Sequence, residues 1–101
     1  MKINQTISKN RMELSVEGRL DALTAPEFEA EISAQLEGIT ELDIDLGALE
    51  YISSAGLRAL LYLQQTMDEK KGTLTVRRVP EVIMSIFELT GLHKKMNIQA
   101  K

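Results

Sequence analysis

Residues 42–72 read LDIDLGALEYISSAGLRALLYLQQTMDEKKG and carry the clearest structural signal in the chain. The first five residues alternate apolar and acidic side chains, a period of two that is typical of a half-buried β-strand. The leucine-rich run that follows predicts a deeply buried helix from about Ala55 to Lys71, stopped by Gly72. Because one face of the strand is polar, we expect helices to cover only one side of the sheet.

Two other segments, residues 12–17 and 73–77, alternate in the same way, and a weaker example near the start puts Ile3 and Ile7 on one face. Between the first two strands, Lys9-Asn10 is predicted to form a tight hairpin turn, because Asn tolerates the left-handed conformation. These two strands are therefore expected to be antiparallel. Strands separated by a whole helix are expected to be parallel, since right-handed crossovers join them.

A first helix is predicted after Thr24, with Thr24 as N-cap, Pro26 in the first turn and Glu27 closing a capping box. Its C-cap is predicted at Gly38. Apolar residues recur at helical spacing along this segment: Phe28, Ile32, Leu36 and Ile39.

A third helix is predicted between Pro80 and Gly91. Its apolar positions are Val82, Ile83, Ile86, Phe87 and Leu89. The predicted order is β-β-α-β-α-β-α, and a short strand at residues 96–98 would add a further β at the end. The predicted fold class is α/β: a two-layer sandwich with a mixed β-sheet and helices covering one face, formed by a single domain over residues 1–101.

Composition excludes several classes of protein. The 101 residues include no cysteine and one histidine, His93, so disulfide scaffolds and histidine-rich metal sites are not expected. No apolar run reaches the ~18–20 residues that span a bilayer, so we predict no membrane insertion and a cytoplasmic protein. Residues 1–50 hold 11 acids and 4 bases, and residues 51–101 hold 4 acids and 8 bases, for a net charge of −3. Nucleic-acid binding is not expected of this net acidic chain.

The turn before the central helix carries the candidate functional residues. A serine at a helix start usually caps it, and one of Ser53 and Ser54 suffices for that purpose. Gly56 in the first turn is expected where the helix approaches the sheet closely. One polar stripe runs along the helix at residues spaced to share a face: Ser54, Arg58, Tyr62, Gln65 and Glu69.

An enzyme is not predicted. A nucleophile elbow needs the spacing Gly-x-Ser-x-Gly, and here Ile52 stands where its first glycine should be. His93 lies far along the chain, so no general base for a serine nucleophile is evident. The Asp43/Asp45 pair is interpreted as the solvated face of a strand. No cofactor, metal site or small-molecule ligand is indicated, and no phosphate-binding loop occurs.

Four motifs in order resemble those of STAS domains of the anti-sigma factor antagonist type. GRLDALTA at 18–25 resembles the loop leading into the first helix of that family, and LDIDLG at 42–47 resembles its central strand. ISSAGL at 52–57 resembles its phosphorylation motif, and FELTGL at 87–92 resembles the end of its third helix. The resemblance extends over about residues 3–98.

This resemblance implies a function. Such proteins bind an anti-sigma factor, and this binding releases the sigma factor. The anti-sigma factor is a serine kinase that inactivates them by phosphorylating one serine, and a phosphatase removes the phosphate. Aligned on Gly56, the acceptor serine of the family falls on Ser54. This sequence has Ser53 where many members carry Asp, and Ala55 where many carry Ser or Thr. The expected partner-binding residues are Asp21, Thr24, Ser53, Ser54, Gly56, Arg58 and Tyr62.

A second reading is a STAS subunit or regulatory domain of a membrane transport system, for a lipid or an anion. Met1 directly before the first predicted strand argues against a piece excised from an anion carrier, and a subunit of a lipid-transport complex stays open.

Overall fold

A computed structural model covers residues 1–101, and its secondary structure follows the periodicity of the sequence. The chain forms six strands, three α-helices and one 3₁₀ turn. In order they are β1 (Lys2–Ser8), β2 (Arg11–Leu20), α1 (Ala25–Ser33), β3 (Glu41–Asp45), β4 (Leu49–Ile52), α2 (Ser54–Glu69), β5 (Thr73–Val79), α3 (Glu81–Thr90), the 3₁₀ turn (Leu92–Lys94) and β6 (Asn97–Ala100).

The sheet is mixed, as predicted. Its strands lie in the order β1-β2-β3-β5-β6, and β4 pairs with the last residues of β2. Only β1 and β2 are antiparallel; every other pairing is parallel. The prediction of parallel strands across each helix is therefore confirmed, because each helix carries the chain from one end of the sheet back to the other.

The core lies between one face of the sheet and the helices. All 25 buried hydrophobic residues form one cluster, and no polar or charged residue is buried. On β2, for example, Met12, Leu14 and Val16 are buried, whereas Glu13 between them is exposed. The two-layer architecture with one covered face is confirmed.

On the uncovered face of the sheet, aspartate side chains pair with arginines of the neighbouring strands. Asp43 accepts hydrogen bonds from Arg11 and from Arg77, whose Nη1 lies 3.3 Å away. Asp45 accepts a bond from Arg78 at 3.0 Å. The interpretation of both aspartates as merely solvated was therefore wrong, because cations on the neighbouring strands reach them. The pKa of Arg11 is raised, first by its hydrogen bond to Glu13 and then by the charge of Asp43.

The first helix and the strand before the serine turn differ from prediction. The helix α1 ends at Ser33, and Leu36 and Ile39 lie in the turn that follows it, where both are buried in the core. Gly38 is in the same turn and has a left-handed φ of 78°. Apolar residues in a turn can keep a helix-like spacing when the turn packs on the same core. The four-residue strand β4 was not predicted, because its burial does not alternate.

One smaller prediction also failed, and one apolar pattern does not match the core. In the hairpin between β1 and β2 the left-handed residue is Lys9, with φ 56°, and not Asn10. On α3, two of the five apolar positions do not face the core: Val82 and Leu89 are 70% and 87% exposed. The helix itself begins after Pro80 and ends at the left-handed Gly91, as predicted. No helix of the chain combines the length and the apolar character needed to cross a membrane.

Candidate functional site

The two serines at the start of α2 have different roles. Ser53 is the N-cap residue in an extended conformation, and its Oγ accepts a hydrogen bond from the Gly56 N–H at 3.4 Å. This satisfies one of the amide groups that the first turn of a helix leaves unpaired. Ser54 is the first residue of the helix; it is exposed and its hydroxyl is engaged in no hydrogen bond within the chain. The free hydroxyl of the pair is therefore that of Ser54.

Gly56 lets this turn sit close to the sheet. A Cβ atom at this position would lie 2.7 Å from the carbonyl oxygen of Leu20 and 2.7 Å from Cγ1 of Ile52. Real Cβ atoms do not approach backbone oxygens so closely. Gly56 is itself buried. It therefore shapes the turn from below and is not part of the exposed surface that Ser54 belongs to.

The loop between β2 and α1 is held by its own side chains. Oδ1 of Asp21 accepts hydrogen bonds from the N–H groups of Leu23, at 3.0 Å, and Thr24, at 3.1 Å. In return, Oγ1 of Thr24 accepts from the Asp21 N–H at 2.9 Å and donates to the carbonyl oxygen of Arg19 at 2.9 Å. Thr24 occupies the N-cap position, but its side chain makes no capping bond, so the predicted capping box with Glu27 is wrong.

These bonds define the electrostatics of the loop. The backbone N–H of Thr24 is the largest influence that lowers the pKa of Asp21, with further contributions from the Leu23 N–H, the Thr24 hydroxyl and Arg19. A carboxylate that accepts several hydrogen bonds is stabilised in its charged form. Asp21 therefore presents a fixed negative charge at the end of β2. Beside it, Leu23 is 88% exposed.

The loop and the serine turn are neighbours. Residues Leu20 and Ile52 are paired in the parallel ladder between β2 and β4, and the Ser53 N–H donates to the Leu20 carbonyl oxygen at 2.9 Å. The carboxyl ends of parallel strands lie at one edge of a sheet, and this places both loops at the same edge. A backbone hydrogen bond therefore connects the two loops directly.

Sequence reasoning missed two residues at this edge. Arg19 lies over the ring of Tyr51, with its guanidinium carbon 4.3 Å from the ring centroid, and its Nε is 3.5 Å from the Asp21 carboxylate. Both residues are exposed, so the cation–π contact contributes only about 0.5–1 kcal/mol. The contact joins positions 32 residues apart on neighbouring strands, so no local pattern in the sequence could have indicated it.

The polar stripe of α2 extends the surface away from the two loops. All five of its predicted members are exposed. At 1.5 Å per residue, Tyr62 lies about 12 Å along the helix from Ser54. Arg58 lies one turn from Ser54 on the same face. The exposed residues of this surface are Ser54, Arg58 and Tyr62, with Asp21, Thr24 and Ser53 half-buried at its edge.

Other candidate groups of the sequence are not part of this surface. His93 lies in the 3₁₀ turn after α3, and its Nδ1 is 3.3 Å from the carbonyl oxygen of Phe87. No three acidic, histidine or cysteine side chains are grouped so that they could hold a metal ion.

The fold agrees with comparisons to known proteins. The family model described as "Mlab, STAS domain" matches residues 3–99. The chain belongs to the STAS family, whose motifs its sequence resembles.

Among individual proteins, the chain is 34% identical over 77 residues to BtrV of Bordetella bronchiseptica, provisionally named an anti-sigma factor antagonist. That match covers 75% of this chain and 66% of the relative. It is 25% identical over 103 residues to the anti-sigma-B factor antagonist of Bacillus subtilis (strain 168), covering 100% of this chain and 94% of that one. A crystal structure from Thermotoga maritima, also provisionally named an anti-sigma factor antagonist, shares the fold with a TM-score of 0.91 at 17% identity, covering 98% and 86% of the two chains.

Proposed function

We propose that this protein is an anti-sigma factor antagonist: it binds an anti-sigma factor that is also a serine kinase, thereby releases a sigma factor, and is switched off when that kinase phosphorylates Ser54. The observation that carries the proposal is the unequal use of the two serines. Ser53 is occupied as the helix cap, whereas the Ser54 hydroxyl is exposed and free at the start of α2. A kinase needs an accessible hydroxyl, and Ser54 provides it.

The family relationship supports the partner. Relatives that align with most or all of this chain carry the name anti-sigma factor antagonist. Members of this type are regulatory binding proteins, and we propose that this chain acts by binding, with no catalytic activity, cofactor or nucleic acid involved. A serine phosphatase would restore the unmodified form. Because the proposed partners act on transcription, we propose a cytoplasmic location.

The proposed docking surface consists of the Asp21–Thr24 loop, the Ser53–Ser54 turn and the stripe residues Arg58 and Tyr62, with Gly56 setting the turn from below. A phosphate on Ser54 adds about −1.5 to −2 charges in the middle of this surface. Burying this charge in an interface without a partner costs free energy, and each 1.4 kcal/mol of that cost lowers the affinity tenfold. The switch is thus electrostatic and requires no change of fold.

The first test maps the phosphorylation site. The anti-sigma factor is recovered from the native cell with the tagged protein as bait, incubated with the protein and ATP, and the product is analysed by mass spectrometry. We expect phosphate on Ser54 and no product with Ser54→Ala, while Ser53→Ala is still modified. Phosphate on Ser53 alone would refute the assignment. Recovery of an ATPase with permease subunits, and of no kinase, would favour the transport alternative.

The second test measures affinity by titration calorimetry with the same purified partner. We expect Ser54→Asp to bind about tenfold or more weakly than the wild type, and Ser54→Ala to bind normally and to resist inactivation by ATP. Gln99→Asp adds the same charge at an exposed position of β6, an edge strand separated from β2 by β3 and β5, and should bind almost as the wild type does. Equal affinities for wild type and Ser54→Asp would contradict the electrostatic switch.

A further inference from the structure

A groove runs beside the proposed docking surface, between α2 and the chain that follows α3. Leu57 and Leu61 of α2 form one wall and are half-buried, and the buried Leu92 belongs to the opposite side. These three side chains make an apolar floor on the otherwise polar side of the helix. The groove is lined by Leu57, Arg58, Leu61, Thr90, Leu92 and Lys95.

Two uncompensated positive charges border this groove. Arg11, Arg19, Arg77 and Arg78 each form a salt bridge with a carboxylate. Arg58 is the one arginine that forms none, and it is exposed at the groove, as is Lys95 on the other side. Thr90 adds no free donor there, because its hydroxyl already bonds the carbonyl oxygens of Ile86 and Phe87. The groove is therefore apolar at its floor and cationic at its rim.

We propose that this groove binds a segment of a protein partner that carries an apolar side chain beside carboxylates. The apolar side chain would pack on Leu57, Leu61 and Leu92, and the carboxylates would pair with Arg58 and Lys95. Burial of apolar surface supplies affinity in such a contact, and charge complementarity selects the partner and its orientation. The groove shares Arg58 with the proposed docking surface, so the identification of the segment with the anti-sigma factor rests on the proposed function.

The same geometry gives the Ser54 phosphate a specific target. Residues four apart on a helix are neighbours, so a phosphate on Ser54 can pair with Arg58. This pairing would withdraw Arg58 from the carboxylate of the partner, and the phosphate would also repel that carboxylate. Phosphorylation therefore weakens the binding of an acidic segment, because the phosphate and the partner's carboxylate compete for the guanidinium group of Arg58.

The test uses a phage-displayed library of random peptides, panned against the full-length protein. We expect enriched sequences that combine Asp or Glu with Leu, Ile or Phe. A synthetic peptide of the enriched type should lose affinity by about tenfold or more with Arg58→Glu, with Lys95→Glu and with Ser54→Asp. Lys94→Glu is the matched control: Lys94 is exposed and adjacent to Lys95, yet it does not line the groove, and it should retain most of the affinity. Circular dichroism of each variant checks that the fold is retained.

Three results would overturn the inference. The first is that the library yields basic peptides or no enriched peptides. The second is equal affinity of the acidic peptide for the wild type and Arg58→Glu. The third is that the wild type binds phosphatidylglycerol vesicles, and not acidic peptides, through Arg58 and Lys95. The assay needs no anti-sigma factor, so it separates the two proposals. If the anti-sigma factor binds normally to Arg58→Glu and Lys95→Glu but not to Ser54→Asp, the identification of the segment with the anti-sigma factor and the place of Arg58 in the docking surface are refuted, while the Ser54 switch stands.

Discussion

The amide of Ser53 donates a hydrogen bond to the carbonyl oxygen of Leu20 at 2.9 Å, and so ties the start of α2 to the end of β2. Ser54 follows Ser53, and Asp21 follows Leu20, so one backbone bond holds the two candidate loops of the docking surface side by side. The position of the exposed serine is thus set by the sheet and not by the mobility of a loop.

The tight approach at Gly56 predicts a loss of stability for Gly56→Ala. The added Cβ would meet the Leu20 carbonyl oxygen and Ile52 at 2.7 Å, and backbone atoms cannot move aside cheaply. We expect a fall of about 1–3 kcal/mol in the free energy of unfolding, measured by urea denaturation. Gly47→Ala is the matched control, because the three atoms nearest its Cβ would all belong to the guanidinium of Arg78, the first at 2.8 Å, and this flexible side chain can move. An equal loss in both variants would contradict the close-packing role of Gly56.

The two serines should differ in stability as well as in modification. Ser53→Ala removes the cap of α2 and is expected to lower the free energy of unfolding by about 0.5–1 kcal/mol, at the low end for a cap because its bond is a long 3.4 Å. Ser54→Ala removes a free hydroxyl and should change it by less than about 0.5 kcal/mol. Chemical denaturation of the two variants in parallel tests this order, and the reverse order would show that Ser54 is the cap.

Phosphorylation of Ser54 should leave the fold intact or make it slightly more stable. The helix N-terminus carries partial positive charge, and an anion there is stabilised by about 0.3–1 kcal/mol. We therefore expect Ser54→Asp and the phosphorylated protein to melt at or above the temperature of the wild type in differential scanning calorimetry. Gln65→Asp, well inside the same helix, should show no such gain. A clear drop in the melting temperature of Ser54→Asp would mean that the switch acts through the fold.

Asp21 should make one contribution to acid sensitivity. Its pKa is lowered in the folded protein, first by the Thr24 N–H, so its charged form stabilises the fold above its unfolded pKa of about 3.9. That stabilisation is lost as the pH falls through the folded pKa. We expect Asp21→Asn to be less stable than the wild type at neutral pH and to lose less stability between about pH 5 and about pH 2. The control is Glu37→Gln, an exposed acid without a hydrogen-bond partner. Parallel pH profiles for Asp21→Asn and wild type would contradict this role.

Much of the surface was accessible from the sequence because its signals are local. The spacing of Ser54, Arg58 and Tyr62 depends only on helical geometry, and all three are exposed as expected. The chemistry of helix ends predicts that one of the two serines caps the helix, and the structure assigns that role to Ser53. The docking and phosphorylation roles of these residues remain predictions.

Other features depend on residues far apart in the chain, and no local pattern contains them. Thr24 has the sequence signature of a capping residue, but its hydroxyl is taken by the Arg19 carbonyl and the Asp21 amide. The groove depends on Leu92 and Lys95 meeting α2, more than 30 positions earlier in the chain.

Apolar periodicity, glycine and proline positions and helix-end chemistry therefore determined the mixed α/β sheet, the central helix and its exposed serine, because each is a property of neighbouring residues. The pairing of β4 with β2, the Arg19–Tyr51 contact and the free charge of Arg58 were settled only on folding. Each of them depends on which side chain of a distant strand or helix arrives within contact distance, and many arrangements of the same elements satisfy the same local pattern. Tertiary packing selects one of them, and with it the surface that a partner meets.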